Sequence, residues 1–189
     1  MKNVFTIAIK LFVITVVAAA LLGVVYAVTK EPIAAQTEKA ATEARLTAFP
    51  DAASFEDAKV DIPEEYSEIK SVFNALDSDG NEIGAVFAMT TKGFNSGLNL
   101  TIGIGADGKI RGVIMGDNNE SPGIGKKAAD PEFRDQFPGK PYDSPLKVVK
   151  SASGDYDIQA ITGATVTSKA ITDAVNTAAE FYKQLGGAK

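Results

Sequence analysis

The sequence predicts an α+β protein: an N-terminal transmembrane helix, then one domain with an antiparallel sheet and flanking helices. Three observations predict it. Leu11 to Val28 is an apolar run of membrane-spanning length whose only clearly polar member is Thr15. Between residues 69 and 115, four short segments carry strand patterning and are joined in pairs by Asp-, Asn- and Gly-containing turns. The C-terminal segment repeats apolar residues at helical period. Strands and helices mix without βαβ alternation, which points to α+β.

The apolar run begins behind Lys2 and Lys10, with Val4 to Ile9 extending it upstream. By the positive-inside rule this keeps the N-terminus in the cytoplasm and exports the remainder. Tyr26 lies where an interfacial aromatic belongs. A cleaved signal peptide would use Val25-Tyr26-Ala27, but the run exceeds the usual apolar region of about 7–15 residues. A retained single-pass anchor is therefore expected over residues 1–30, in the cell (inner) membrane, with the C-terminal domain on the extracytoplasmic side.

Glu31-Pro32 marks the membrane exit. Ile33 to Phe49 reads as a helix stopped by Pro50, and Asp51 to Tyr66 as acidic loop with short helical turns, so 31–66 is expected to connect anchor and domain. The domain proper is expected over 67–189. Ile69 to Leu76 and Ile83 to Thr90 are strands joined by Asp77-Ser78-Asp79-Gly80-Asn81. Leu98 to Ile104 alternates cleanly and turns at Ala106-Asp107-Gly108-Lys109 into Ile110 to Met115. Such a sheet buries one face. Asp130-Pro131-Glu132 starts a short helix, Asp130 at N-cap and Pro131 at N1, with Phe133 and Phe137 as its i, i+4 pair. Leu146 to Val149 is a further strand. Ile158 to Ile161 leads into Thr162-Gly163-Ala164-Thr165-Val166-Thr167-Ser168, and then Ala170, Ile171, Ala174, Val175, Ala178, Phe181, Tyr182 and Leu185 mark a final helix closed by Gly186-Gly187.

Composition removes whole classes of chemistry. The 189 residues contain no Cys and no His. Dithiol redox, thiolate metal sites, Ser-His-Asp catalysis and axial His ligation of haem are excluded, so any redox chemistry must come from a cofactor. Residues 1–30 carry Lys2, Lys10 and Lys30 and no acid; the remainder holds 16 basic and 24 acidic residues, a net −8. An acidic body argues against nucleic acid as a partner.

Three segments are candidates for chemistry. The hydroxyl-rich turn before the last helix reads either as an N-cap with surplus hydroxyls or as a phosphate site on free helix N–H groups. Lys92-Gly93-Phe94-Asn95-Ser96-Gly97 joins two strands, and its glycines admit a close ligand. Glu120-Ser121-Pro122-Gly123-Ile124-Gly125 combines Pro- and Gly-set backbone with one carboxylate. Glu64-Glu65 and Asp155-Asp157 read as solvated surface rather than an acid/base dyad. Asp77, Asp79 and Asn81 are turn residues, because a calcium loop needs Glu where Ala88 stands.

Thr162-Gly163-Ala164-Thr165-Val166-Thr167 resembles the Ser/Thr-Gly-Ala-Thr-x-Thr motif of the FMN-binding domain family, and Glu120 to Gly125 resembles that family's Glu-Thr-Pro-Gly-Leu-Gly loop. With the anchor, the chain is similar to the G subunits of Rnf electron-transport complexes. The homologous C subunits of sodium-pumping NADH:quinone reductases are the alternative, and a non-redox exported binding module is a third reading. The resemblance implies FMN joined through its phosphate to Thr167 by a flavin transferase that uses FAD. It implies Thr162, Gly163, Ala164, Thr165, Glu120, Ser121, Gly123 and Gly125 around the cofactor, and Gly93 and Phe94 of the glycine-containing strand connection are expected there as well. It also implies an electron-relay subunit of a ferredoxin:NAD oxidoreductase, partnered by other membrane and iron–sulfur subunits and not catalytic alone. No catalytic residue and no metal ligand is expected. Gln159 stands where the family usually has Asp, and Asn119 where relatives often have a basic residue.

Overall fold

The computed structural model describes residues 2–187. The chain divides into two compact units, one ending at Thr42 and the other beginning at Glu43.

The first element, α1, is a helix over Lys2–Ala48. The sequence predicts an anchor and a separate connecting helix; one uninterrupted helix runs through Pro32 instead. A proline withdraws only one backbone donor, which a long helix tolerates where solvent or neighbouring groups satisfy the freed carbonyl. The apolar part has a mean hydropathy of 2.7 over 18 residues, and none of that window is buried within the protein. Thr15, its one polar member, donates its hydroxyl to the Leu11 carbonyl and so leaves no unsatisfied hydrogen. The helix stops at Ala48 because Phe49 precedes Pro50, and a residue before proline is pushed out of the α region.

In the second unit, five strands form an antiparallel meander in chain order. They are β1 (Ser54–Asp57), β2 (Ile69–Leu76), β3 (Glu82–Lys92), β4 (Ser96–Gly105) and β5 (Ile110–Met115). The central strands lie where their alternation places them. β1 corrects the reading of 51–66 as loop with helical turns: Ser54 to Asp57 pair with Leu76 to Phe73. Its four residues hold one apolar side chain, so backbone pairing to an exposed edge makes the strand. One short helical turn, Glu64–Tyr66, does lie in that stretch. In the β2–β3 turn, Asp77 Oδ1 accepts from the N–H groups of Asp79 at 2.9 Å and Asn81 at 2.8 Å, the turn role read for these residues.

The sheet is covered on both faces, not one. On one face Phe87, Met89, Leu98, Leu100, Ile102, Ile104 and Ile110 build the main core. On the other a small cluster of Phe49, Ala52, Ala75 and Val86 is buried where the chain leaves α1. Gly103 makes room for this, since a Cβ there would collide with the Ala48 carbonyl oxygen.

The remaining elements are α2 (Pro131–Arg134), the parallel pair β6 (Lys147–Val149) and β7 (Asp157–Gln159), and α3 (Thr165–Gln184). Phe133 and Phe137 meet edge to face at 5.5 Å. α3 lays Ile171, Ala174, Val175, Ala178, Phe181 and Tyr182 on the main core. Phe87 of β3 takes Phe181 and Tyr182 edge to face at 6.5 and 6.3 Å. Burial of each such side chain contributes about 1.5–3 kcal/mol, and this seam holds α3 and its N-terminus in place.

Candidate functional site

The approach to α3 is held by a carboxylate and a carboxamide. Asp157 accepts from the Ser153 and Gly154 N–H groups at 3.1 and 3.0 Å. Those donors hold its carboxyl below the usual carboxylate range, Ser153 N–H contributing most. The Gln136 side chain then behaves like a missing strand: its Oε1 accepts from Gln159 N–H at 2.7 Å and its Nε2 donates to the Gln159 carbonyl at 3.3 Å. Gln159, the departure from the family motif, is used here through its backbone.

The turn itself differs from the cap that its hydroxyls suggest. Ala164 occupies the N-cap position and no side chain caps the helix. Gly163 takes φ +79°, a conformation disfavoured for other residues. Ser168 is the structural hydroxyl: its Oγ accepts from Ile161 N–H at 3.0 Å and donates to the Ala164 carbonyl at 2.9 Å. Its own N–H reaches the Ala164 carbonyl at 2.9 Å, the first backbone donor of α3 to close a helical turn. The N–H groups before it keep the donor capacity that suits an anion.

Thr167 is turned inward, 1% exposed, and donates to Glu120 Oε2 at 2.6 Å. Glu120 is itself 2% exposed. Its Oε1 accepts from Asn95 N–H at 3.0 Å, and its own N–H donates to Asn118 Oδ1 at 3.1 Å. Asn95 Nδ2 donates to the Asn119 carbonyl at 2.7 Å, tying the loop after β3 to the loop after β5. So Thr167 and Glu120, with Asn95, join three segments far apart in sequence.

A cavity of about 400 Å³ opens where these segments meet. Phe94, Glu120, Ser121, Ile124, Gly125, Gly163, Ala164, Thr165, Val166 and Thr167 line it. The structure thus brings together eight of the residues expected around a ligand. It does not bring Gly93, Gly123 or Thr162 to the wall. Gly93 sits behind Glu120. Gly123 serves the loop's backbone with φ +76°. Thr162 lines an adjoining, more polar cavity with Lys127, Asp130, Glu132 and Gln136.

Ile124 and Val166 are wall residues that sequence reasoning passed over. Among the described residues from Glu43 onward, five large apolar side chains are exposed, and Phe94, Ile124 and Val166 are three of them. The signal in the sequence is slight: Val166 stands off the stripe that α3 buries, and Ile124 lies between glycines. Apolar walls with a few convergent polar groups are the usual make-up of a small-molecule site.

Residues 93–180 match the family model described as FMN-binding domain, a span that includes every wall residue of the cavity. The G subunit of the Na(+)-translocating ferredoxin:NAD(+) oxidoreductase complex of Acetobacterium woodii is 36% identical, over 97% of this chain and 94% of that one. The G subunit of the ion-translocating oxidoreductase complex of Methanosarcina acetivorans is 29% identical, over 98% of each. Among solved structures, Shewanella oneidensis NqrC shares the fold, with a TM-score of 0.55 and 23% identity over 75% of this chain and 74% of that one. With its apolar N-terminal helix and its FMN-binding domain, the chain belongs to the membrane-anchored G-subunit family of ion-translocating oxidoreductase complexes.

Proposed function

We propose that this protein is a one-electron relay carrying FMN esterified through its phosphate to Thr167, within a complex that moves electrons between ferredoxin and NAD and couples this to ion transport. The observation that carries the reading is the inversion at the start of α3: two polar side chains, Thr167 and Glu120, are buried, while Phe94, Ile124 and Val166 stand exposed around the same cavity. A flavin suits both halves. Its ring system is apolar and flat and would cover the exposed collar. Its phosphate would lie against the uncapped end of α3, where N–H groups and the helix dipole favour negative charge. Gly163, without a side chain, leaves the turn open. When bound, FMN supplies the one- and two-electron chemistry that a chain without Cys or His lacks. The residues of the chain orient it, shield it from water and fix its phosphate.

Covalent attachment requires a flavin transferase with FAD as donor, and electron exchange requires iron–sulfur and membrane subunits. The charge distribution supports an N-terminus in the cytoplasm and a single-pass helix that places the domain on the extracytoplasmic face of the cell membrane. Because the chain has no Cys, single cysteines introduced at Asn3 or Asp155 report sidedness without background; labelling by an impermeant maleimide at 155 and protection at 3 is the expected result.

The attachment is tested by expressing the full chain with a flavin transferase, denaturing it and reading in-gel flavin fluorescence and intact mass. The mass rises by one FMN less one water. Thr167→Ala abolishes the label and Thr165→Ala retains it. A Thr167→Ala protein that stays covalently fluorescent contradicts the assignment.

A further inference from the structure

Glu120 is a carboxyl group in an unusual place. It is more than nine-tenths buried, and no lysine or arginine pairs with it among the described residues. Two positions are kept free of side chains to seat it. A Cβ on Gly93 would lie 2.5 Å from its Oε1, and a Cβ on Gly125 would collide with its Oε2. Buried carboxyl groups are costly unless strongly bonded. This one takes a backbone N–H on one oxygen and the Thr167 hydroxyl on the other. The motif offers three threonines, yet Thr162 and Thr165 are exposed and only Thr167 is set on a carboxylate. At 2.6 Å the bond is short, and Glu120 Oε2 is placed to receive the Thr167 proton.

We infer that Glu120 selects Thr167 as the flavin acceptor and takes its proton during attachment. The inference rests on the covalent reading above. Thr167 Oγ1 attacks the phosphorus on the riboflavin side of the pyrophosphate of an FAD donor presented by the transferase. The Oγ1–P bond forms, the P–O bond to AMP breaks and AMP leaves with its electron pair. The hydroxyl proton passes to Glu120 Oε2; nothing is oxidised or reduced. The acceptor protein thus supplies both the nucleophile and the base for its own modification, and the Thr167–Glu120 bond sets this hydroxyl apart from those of Thr162 and Thr165.

The test uses the full chain in detergent, free of flavin, incubated with purified transferase and FAD, with covalent incorporation followed by intact mass. Glu120→Gln preserves shape and an oxygen that accepts from Thr167, but does not take a proton. Its kcat for labelling falls at least about 100-fold, the usual scale for loss of a general base, while KM for the acceptor protein stays unchanged because Glu120 is buried and Gln keeps its shape. Glu120→Ala is equally slow, and added formate restores labelling in proportion to its concentration, an effect that a merely structural role does not produce. Wild-type turnover in Glu120→Gln, or Glu120→Ala that formate leaves slow, overturns the inference. Absence of label on the unsubstituted chain overturns the covalent reading instead.

Discussion

The body of α3 and its first turn obey opposite rules. From Ile171 to Tyr182 the helix buries mainly apolar side chains against the sheet, with Thr172 buried beside them, and leaves Asp173 and Glu180 exposed. In the first turn Thr167 and Ser168 are buried and Val166 is 53% exposed. One helix, with one continuous backbone, is thus a structural element along most of its length and lines the candidate site at its start. Large exposed apolar groups and buried polar ones are each informative alone; their coincidence around one cavity is what separates function from packing here. The body fixes where the first turn stands, and within that turn Ser168 ties the helix start to Ile161 and Ala164.

Substitutions in each region separate the two roles. Phe87→Ala removes the ring on which Phe181 and Tyr182 rest, and chemical denaturation is expected to show a loss of about 3–5 kcal/mol with any folded fraction still accepting flavin. Gly125→Ala drives a methyl group into the Glu120 carboxylate; the overpacking costs about 1–3 kcal/mol, and unlike Phe87→Ala it slows flavin attachment in the protein that remains folded. Equal attachment rates for Gly125→Ala and wild type would show that the seat of Glu120 is irrelevant to the site. Phe94→Ala has the smallest effect on stability, within about 0.5 kcal/mol, because its ring already faces solvent. Its consequence is read as weaker non-covalent FMN binding to Thr167→Ala protein, by about 0.5–1.5 kcal/mol if ring-on-ring contact is made. A Phe94→Ala chain that loses stability but not affinity reverses the comparison.

How much of this is legible in the residues depends on what each element needs. β2 and β5 match their expected limits because short-range patterning and turn chemistry specify them. β1 is illegible because Ser54 to Asp57 has no pattern of its own and exists through its pairing with β2. The continuity of α1 through Pro32 escapes a rule that treats proline as a boundary. At the site, the Glu120 to Gly125 loop stands out in the residues as a Pro- and Gly-set segment with one carboxylate, but that pattern fits a surface loop equally well, and only the family resemblance assigns it to a cofactor. The carboxylate's burial comes from Gly93, Asn95 and Thr167, residues 25 or more positions distant. The hydroxyls near α3 suggest a cap. Thr167 instead faces Glu120 and Ser168 braces Ile161 and Ala164, so the cap position falls to Ala164. Ile124 and Val166 become notable only once the cavity is closed around them.

The central claim is that the first turn of α3 holds FMN through Thr167. Peptide mapping of the full chain isolated from cells that contain a flavin transferase tests it most directly. Trypsin cleavage after Lys150 and Lys169 yields one peptide carrying the whole turn. This peptide alone is expected to bear the mass of one FMN less one water, with fragmentation placing it on Thr167. Flavin mapped to Thr162, Thr165 or any other peptide, or no flavin on protein that the transferase has met, contradicts the claim.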